Sequence, residues 1–266
     1  MERDIRLCLG PVARVGKEVL YRDTVSSTND LLKAMAEDGA AEGTVLLAGE
    51  QTRGKGRLGR SFTSAAGKGV YLSALLRPDL PPDALLPLTG FTAEAMARAV
   101  RRVTGAEARI KWVNDLILNG KKLCGILTES AFAEGRVSYV VVGVGLNVNY
   151  DRGDFPEELR DLAGSLQTEL GESFPLPPLA AAMIEELDAL YAALLSGATG
   201  PYLSAYRQHC LTLGRDVLLL KNGVAAPAQA LDVDEALGLL VRYPDGREEL
   251  VRSGEASVRG LGGYAR

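Results

Sequence analysis

ARIKWVNDLILNGKKLCGILTESAFAEGRVSYVVVGVGLNVNY, residues 108–150, decides the fold. Ile110, Trp112, Leu116 and Leu118 recur with the two-residue period of strands that bury one face. Asn119-Gly120 and Glu134-Gly135 fall between apolar runs, where a tight hairpin needs positive φ that glycine adopts without strain. In VVVGVGLNVNY (140–150), Gly143 and Gly145 take side chains off one face, leaving room for a ligand or another backbone. Asn147 and Asn149 continue that face by parity. The region therefore reads as antiparallel strands with a bare strip.

Upstream, SSTNDLLKAMAED reads as a helix capped by Ser27 or Thr28, with Asp30 as the acid of a capping box and Leu31, Leu32 and Met35 on one side. TVLLAGE (44–50) and GVYLSALLRP (69–78) read as strands, the second stopped by proline. FTAEAMARAVRRV (91–103) has helical spacing. Downstream, helices are expected over 157–170, 178–196 and 201–211. From residue 214 the pattern changes to short strands broken at Asn222-Gly223, Asp234-Glu235 and Asp245-Gly246, which suggests a small β-barrel. The expected architecture is α+β: a mixed, largely antiparallel sheet flanked by helices over residues 1–213, then a small β domain over 214–266.

Composition narrows the classes. With 266 residues, 47% of them hydrophobic, the chain can bury one large core and a smaller one. It has no run near the roughly 20 apolar residues that span a bilayer, and MERDIRLCLG has no signal-peptide core, so no membrane association is expected. Cys8, Cys124 and Cys210 form no CxxC pair and fit a reducing cytoplasm. A net charge of −4 argues against a general nucleic-acid binder, and the first 23 residues are too short for a helix-turn-helix. A lone histidine, His209, builds no multi-histidine metal site and reads as structural.

Three clusters carry chemistry. EQTRGKGRLGR (50–60) contains Gly54, Gly56 and Gly59 at GxGxxG spacing, but no helix follows, so a dinucleotide fingerprint is not indicated. Arg53, Lys55, Arg57 and Arg60 on this loop suit closure over a phosphorylated ligand; a solvated basic turn or an RNA-contacting patch is the alternative. In KWVNDLILNGKKLCG (111–125), Asn114-Asp115 suit ribose, adenine or hydrated Mg²⁺. Lys122 opens an apolar strand and needs an anionic partner that a ligand phosphate or carboxylate would supply, unless Lys111 and Lys122 merely snorkel. Ser26-Ser-Thr-Asn29 at a helix start could hold a neutral head such as a ureido group, though capping explains Ser27 or Thr28 equally well.

In this order, SSTN (26–29), QTRGKGRLGRSF (51–62), KWVNDL (111–116), GKKLCGIL (120–127) and GVGLNVN (143–149), with the C-terminal β segment, resemble the biotin protein ligases, also called biotin–[acetyl-CoA-carboxylase] ligases. The resemblance runs from about residue 20 to the end. It implies a catalytic fold like that of class II aminoacyl-tRNA synthetases, with an SH3-like C-terminal barrel. It also implies an enzyme that joins biotin and ATP as biotinyl-5′-adenylate, with Mg²⁺, and passes biotin to a lysine. The implied acceptor is a biotin carboxyl carrier domain of acetyl-CoA carboxylase or another biotin-dependent carboxylase. The class resembled is the monofunctional one without a DNA-binding domain, in which homodimers are common.

By resemblance, Ser27, Thr28 and Gln51 line the biotin pocket, Lys55 and Arg57 lie on the loop that folds over the ligand, and Lys122 bridges carboxylate and α-phosphate. Lys122, Arg57 and Lys55 are thus the implied catalytic groups, with Asn114 and Asn147 on the ATP and Mg²⁺ side and Asp115 ordering the loops. Asn29, Gly54, Gly56, Lys111, Trp112, Gly125, Gly143 and Gly145 join the ligand site as motif neighbours. Lys55 replaces an arginine, Val113 a proline, Phe62 a tryptophan and Cys124 an alanine of the usual pattern, and none of these removes a group the chemistry needs. The competing readings are a lipoate or octanoate transferase of the related fold, which lacks the GKGRLGR and KWVND pairing, and a non-catalytic binding module using the basic loop.

Overall fold

The structure, a computed structural model, describes residues 1–221, 224–252 and 256–260. After helix α1 (Glu2–Cys8) come β1 (Glu18–Val25), α2 (Thr28–Glu37), β2 (Thr44–Gln51), β3 (Gly69–Leu76) and α3 (Leu88–Thr104). Strands β4 (Arg109–Lys111), β5 (Asp115–Leu118), β6 (Lys121–Ala133) and β7 (Arg136–Asn147) follow, then α4 (Leu166–Leu170), α5 (Leu176–Leu195) and α6 (Gly200–His209). The strands form one sheet in the order β1-β2-β3-β7-β6-β5-β4, parallel at β1/β2 and antiparallel elsewhere.

Both hairpin turns form as the sequence requires. Asn119 and Gly120 have φ of 49° and 82°, and Glu134 and Gly135 have 52° and 76°, the left-handed pairs of a two-residue loop. Parity then divides β7 between two layers. Val140, Val142, Val144 and Leu146 enter the main core, shared with α3 and α5. Tyr139 and Val141 pack on the other side with Leu32 and Ala36 of α2. Gly143 and Gly145 continue the α2 side, and there the site is built.

Two expectations are overturned. Residues 157–170 are not one helix: a 3₁₀ turn spans Glu157–Leu159, and α4 holds only the last five residues. Between them Lys122 N donates to Leu162 O and Gly164 N donates to Lys122 O, so this backbone is spent on the rim of β6 and cannot bond along a helix. Nor is there a C-terminal barrel. Strands β8 (Asp216–Lys221), β9 (Val224–Val233), β10 (Leu239–Arg242), β11 (Glu248–Val251) and β12 (Ala256–Gly260) make an antiparallel sheet, β11-β10-β9-β8-β12. Closure needs the outermost strands to bond each other. Among the described residues β11 pairs only with β10 and β12 only with β8, which leaves two edges. The expected turn at Asn222-Gly223 lies outside the described residues.

This second sheet is tied to the first. Trp112 Nε1 donates to Leu237 O at 2.9 Å, and Arg207 reaches Asp232 at 3.0 Å. His209 Nδ1 pairs with the buried Glu94 at 2.7 Å, a structural role as expected. Among the described residues no helix is long and apolar enough to cross a membrane. The start of the chain is pinned by α5: the buried Asp188 carboxylate accepts from the N–H groups of Ala13, Arg14 and Val15 at 2.7–2.8 Å. Asp188→Ala strands these donors and should lower the unfolding free energy by roughly 2–4 kcal/mol in urea denaturation. A midpoint equal to that of the parent chain would show the segment held by other contacts.

Candidate active site

The first part of the site lies where α2 begins beside the end of β2. Ser27 caps α2, accepting from Asp30 N. Thr28 N and Thr28 Oγ1 both donate to Gln51 Oε1, at 2.9 and 3.0 Å. Gln51 Nε2 donates to Ser64 Oγ at 2.8 Å, which fixes the amide's orientation. The Asn29 side chain covers Gly143, where a Cβ would stand 2.1 Å from Asn29 Oδ1. Glycine at 143 is therefore a packing requirement.

The glycine-rich loop crosses the strip next. Thr52 N donates to Val25 O, Arg53 N to Ser26 O and Phe62 N to Gly54 O, so the loop's roots are fixed while Gly59 turns with φ 73°. A Cβ on Gly54 would stand 2.4 Å from Phe62 O, so this glycine serves the loop's own closure. The Phe62 ring lies on β7, where a Cβ on Gly145 would meet it at 2.5 Å and one on Gly125 at 3.3 Å. The two bases on which the sequence drew attention go opposite ways. Lys55 Nζ reaches Asp30 Oδ1 at 2.6 Å, whereas Arg57 Nη1 donates to Asn114 Oδ1 at 3.0 Å. Partial burial works against the ionised Asp30 carboxyl, but hydrogen bonds from Lys55 and Lys33 outweigh it and hold its pKa below the ordinary value. Burial lowers the pKa of Arg57, with Asp115 opposing that shift; a guanidinium stays charged through such a change.

The third part comes from β5, β6 and the end of β7. Lys122 has its anionic partner within the chain, since its Nζ stands 2.8 Å from Asp115 Oδ1. Sequence reasoning assigned that partner to a ligand. Asn114 is locked by donating to Ile126 O at 2.8 Å, and Asn147 Nδ2 donates to Gly164 O at 3.0 Å.

A cavity of about 540 Å³ brings together Lys55, Gly56, Arg57, Lys111, Trp112, Asn114, Asp115, Lys122, Gly125 and Asn147. A recess of about 20 Å³ beside it gathers Ser27, Thr28, Asn29, Gln51, Gly143 and Gly145, and Lys55, Phe62 and Gly125 border both. Gly54 lines neither, and Asn149 is turned away to bond Phe174. Sequence reasoning missed Phe155, and also Leu159 and Leu162 of the segment expected to be helical, all three of which wall the cavity. It also missed Ser73, a serine inside a strand otherwise built of glycine, aliphatic side chains and one tyrosine, which was the available signal.

A large cavity lined by several bases and amides, joined to a small polar recess, suits a two-part ligand. Residues 21–147 match the Biotin/lipoate A/B protein ligase family. The chain is 34% identical over 239 residues to the biotin–[acetyl-CoA-carboxylase] ligase of Mycobacterium tuberculosis, covering 87% of this chain and 85% of that protein. It is 33% identical over 236 residues to the bifunctional ligase/repressor BirA of Bacillus subtilis, covering 89% and 73%. The chain belongs to the biotin protein ligase family. It superposes on the Aquifex aeolicus biotin protein ligase in complex with biotin and ATP with a TM-score of 0.79 at 28% identity, covering 92% of this chain and 99% of that one. As an enzyme of the biotin ligase family it should report its own ligand. Trp112, the sole tryptophan, lines the cavity with its Nε1 held by Leu237 O, so ATP entering there should change its fluorescence without any label. Emission unaltered at saturating ATP would place the nucleotide elsewhere.

Proposed function

We infer that the chain activates biotin with ATP as biotinyl-5′-adenylate and transfers it to a lysine of a biotin carboxyl carrier protein. The observation that carries this reading is the meeting of the recess and the cavity at Lys55, Phe62 and Gly125. A ligand whose neutral head fills the recess must pass its other end over Gly125 toward Lys122. The Thr28, Asn29 and Gln51 groups there suit a ureido head, where an apolar lipoyl or octanoyl chain would leave buried polar groups unmet. The recess is smaller than such a head, so the Phe62 ring must lift from Gly145 as biotin enters. Inward-facing Lys122 and Arg57 speak against a module that binds RNA through a solvated loop. The division into 1–213 and 214–266 is supported by the separateness of the two sheets.

In this reading a biotin carboxylate oxygen attacks the α-phosphorus and pyrophosphate departs. Lys122 can move from Asp115 to the anions converging beside it, and Arg57 can leave Asn114 for the phosphates, so positive charge is already in place where negative charge gathers. The acceptor lysine, as free amine, then attacks the acyl carbon; the amide forms, AMP leaves and the amine sheds its proton. Phe62 and the loop over the junction keep water from the acyl-adenylate. Among the described residues no three His, Cys, Asp or Glu side chains converge on a cation site. The donors present fit Mg²⁺ in its usual manner, held mainly by substrate phosphates and water, with Asn114 and Asn147 as the amide oxygens on that side. When bound it would neutralise the departing pyrophosphate. The acceptor is proposed to be the carrier domain of acetyl-CoA carboxylase or another biotin-dependent carboxylase.

Pyrophosphate release from ATP and Mg²⁺ should require biotin, and equal release with lipoate or octanoate would overturn the choice of acid. Lys122→Ala should slow single-turnover adenylation roughly 30- to 900-fold, the loss expected when one charge-stabilising group is removed. It should also cost about 1–3 kcal/mol of stability by leaving Asp115 without its ammonium. Adding Asp115→Asn should restore the stability and leave adenylation slow. Recovery of both would make Lys122 merely structural.

A further inference from the structure

Behind the recess runs a row of polar side chains that the two chemical steps do not use. The half-buried Glu129 on β6 accepts from Lys33 Nζ at 2.6 Å and from Asn29 Nδ2 at 2.8 Å. A carboxylate can only accept, so the buried Asn29 amide must turn its nitrogen toward Glu129, with Leu127 O as a second acceptor at 3.3 Å. Asn29 Oδ1 then faces Ser73, a fully buried hydroxyl on β3 whose Oγ lies 2.6 Å away. Ser73 carries one hydrogen and also stands 2.8 Å from Thr28 Oγ1.

Donor and acceptor counting settles the direction. An amide oxygen cannot donate, so the contact between Ser73 and Asn29 is made with the Ser73 hydrogen. Thr28 must then turn its own hydrogen into the protein, toward Ser73 Oγ or toward Gln51 Oε1 at 3.0 Å. What Thr28 presents to the recess is a lone pair.

We propose that Glu129 is a positioning residue for acid selection: through Asn29 and Ser73 it makes Thr28 an acceptor toward the recess, and so selects a head that donates an N–H there. The inference rests on the biotin reading, because the ureido head of biotin carries such N–H groups. In Glu129→Gln the new amide can donate as well as accept, so Asn29 is free to flip. Ser73 then loses its fixed acceptor and can turn its hydrogen onto Thr28 Oγ1, taking up the acceptor capacity that Thr28 offers the recess.

The test compares biotin with biotin methylated on a ureido nitrogen, in the intact protein, by calorimetry and adenylation kinetics. Glu129→Gln should raise KM for biotin about ten-fold and keep kcat within roughly two-fold, the split of an effect on ground-state binding. The penalty for methylation should shrink in the same variant. Ser73→Ala removes the middle of the relay and should relax selectivity likewise, which keeps the test open if Glu129→Gln folds poorly. The double variant should bind biotin no worse than Ser73→Ala alone, since both changes cut one chain of contacts. Wild-type selectivity in Glu129→Gln, or additive losses in the double variant, would overturn the relay alone. A wild-type protein that does not bind biotin would overturn both the relay and the functional reading.

Discussion

The bare strip on one face of β7 is the constraint on which the rest of the molecule depends. With no Cβ at 143 and 145, that face changes within a few residues from core to binding site. Tyr139 and Val141 hold the body of α2, Gly143 admits Asn29 from its first turn, Gly145 admits the Phe62 ring, and Asn147 meets the cavity. Each piece is placed by the strand's two-residue period. A single added methyl at 143 would collide with the Asn29 side chain, and one at 145 with the Phe62 ring at rest on the strip.

Charge is arranged with similar economy. Lys122 sits against Asp115, Lys55 against Asp30, and Arg57 against an amide oxygen. None of these is a deeply buried ion pair of great strength, and the exposed Lys55 and Asp30 pair contributes little to folding by itself. Such partners hold a base near its working position and release it when a stronger anion arrives. Asp30, in the first turn of α2, gives the mobile ammonium of Lys55 a fixed address.

Much of this was legible in the sequence wherever local chemistry dictates structure. The turns at 119–120 and 134–135, the cap at Ser27 and the strip at 143–145 all follow from side chains acting on their own backbone or strand. Readings failed where distant partners decide. Residues 157–164 have passable helical spacing, yet Lys122 takes Leu162 O and Gly164 N at their end. Closure of the small sheet turns on whether two edge strands meet, which no local pattern encodes. Lys122 was rightly seen to need an anion, but that Asp115 supplies it depends on a register shift between Leu116 and Ile117. Glu129 carries no local mark of its contact with Asn29, because that partner is a hundred residues away.

The hydrogen bond from the Trp112 indole to the carbonyl of Leu237 bears on how such a chain can be re-engineered. It joins a cavity wall to the connection between β9 and β10, and because its acceptor is a main-chain oxygen, no substitution at 237 removes it while the backbone holds its course. The second sheet is therefore not an interchangeable cassette. A graft from another protein would have to deliver a carbonyl to that one point in space, whatever its own sequence, or leave the indole donor buried and unanswered.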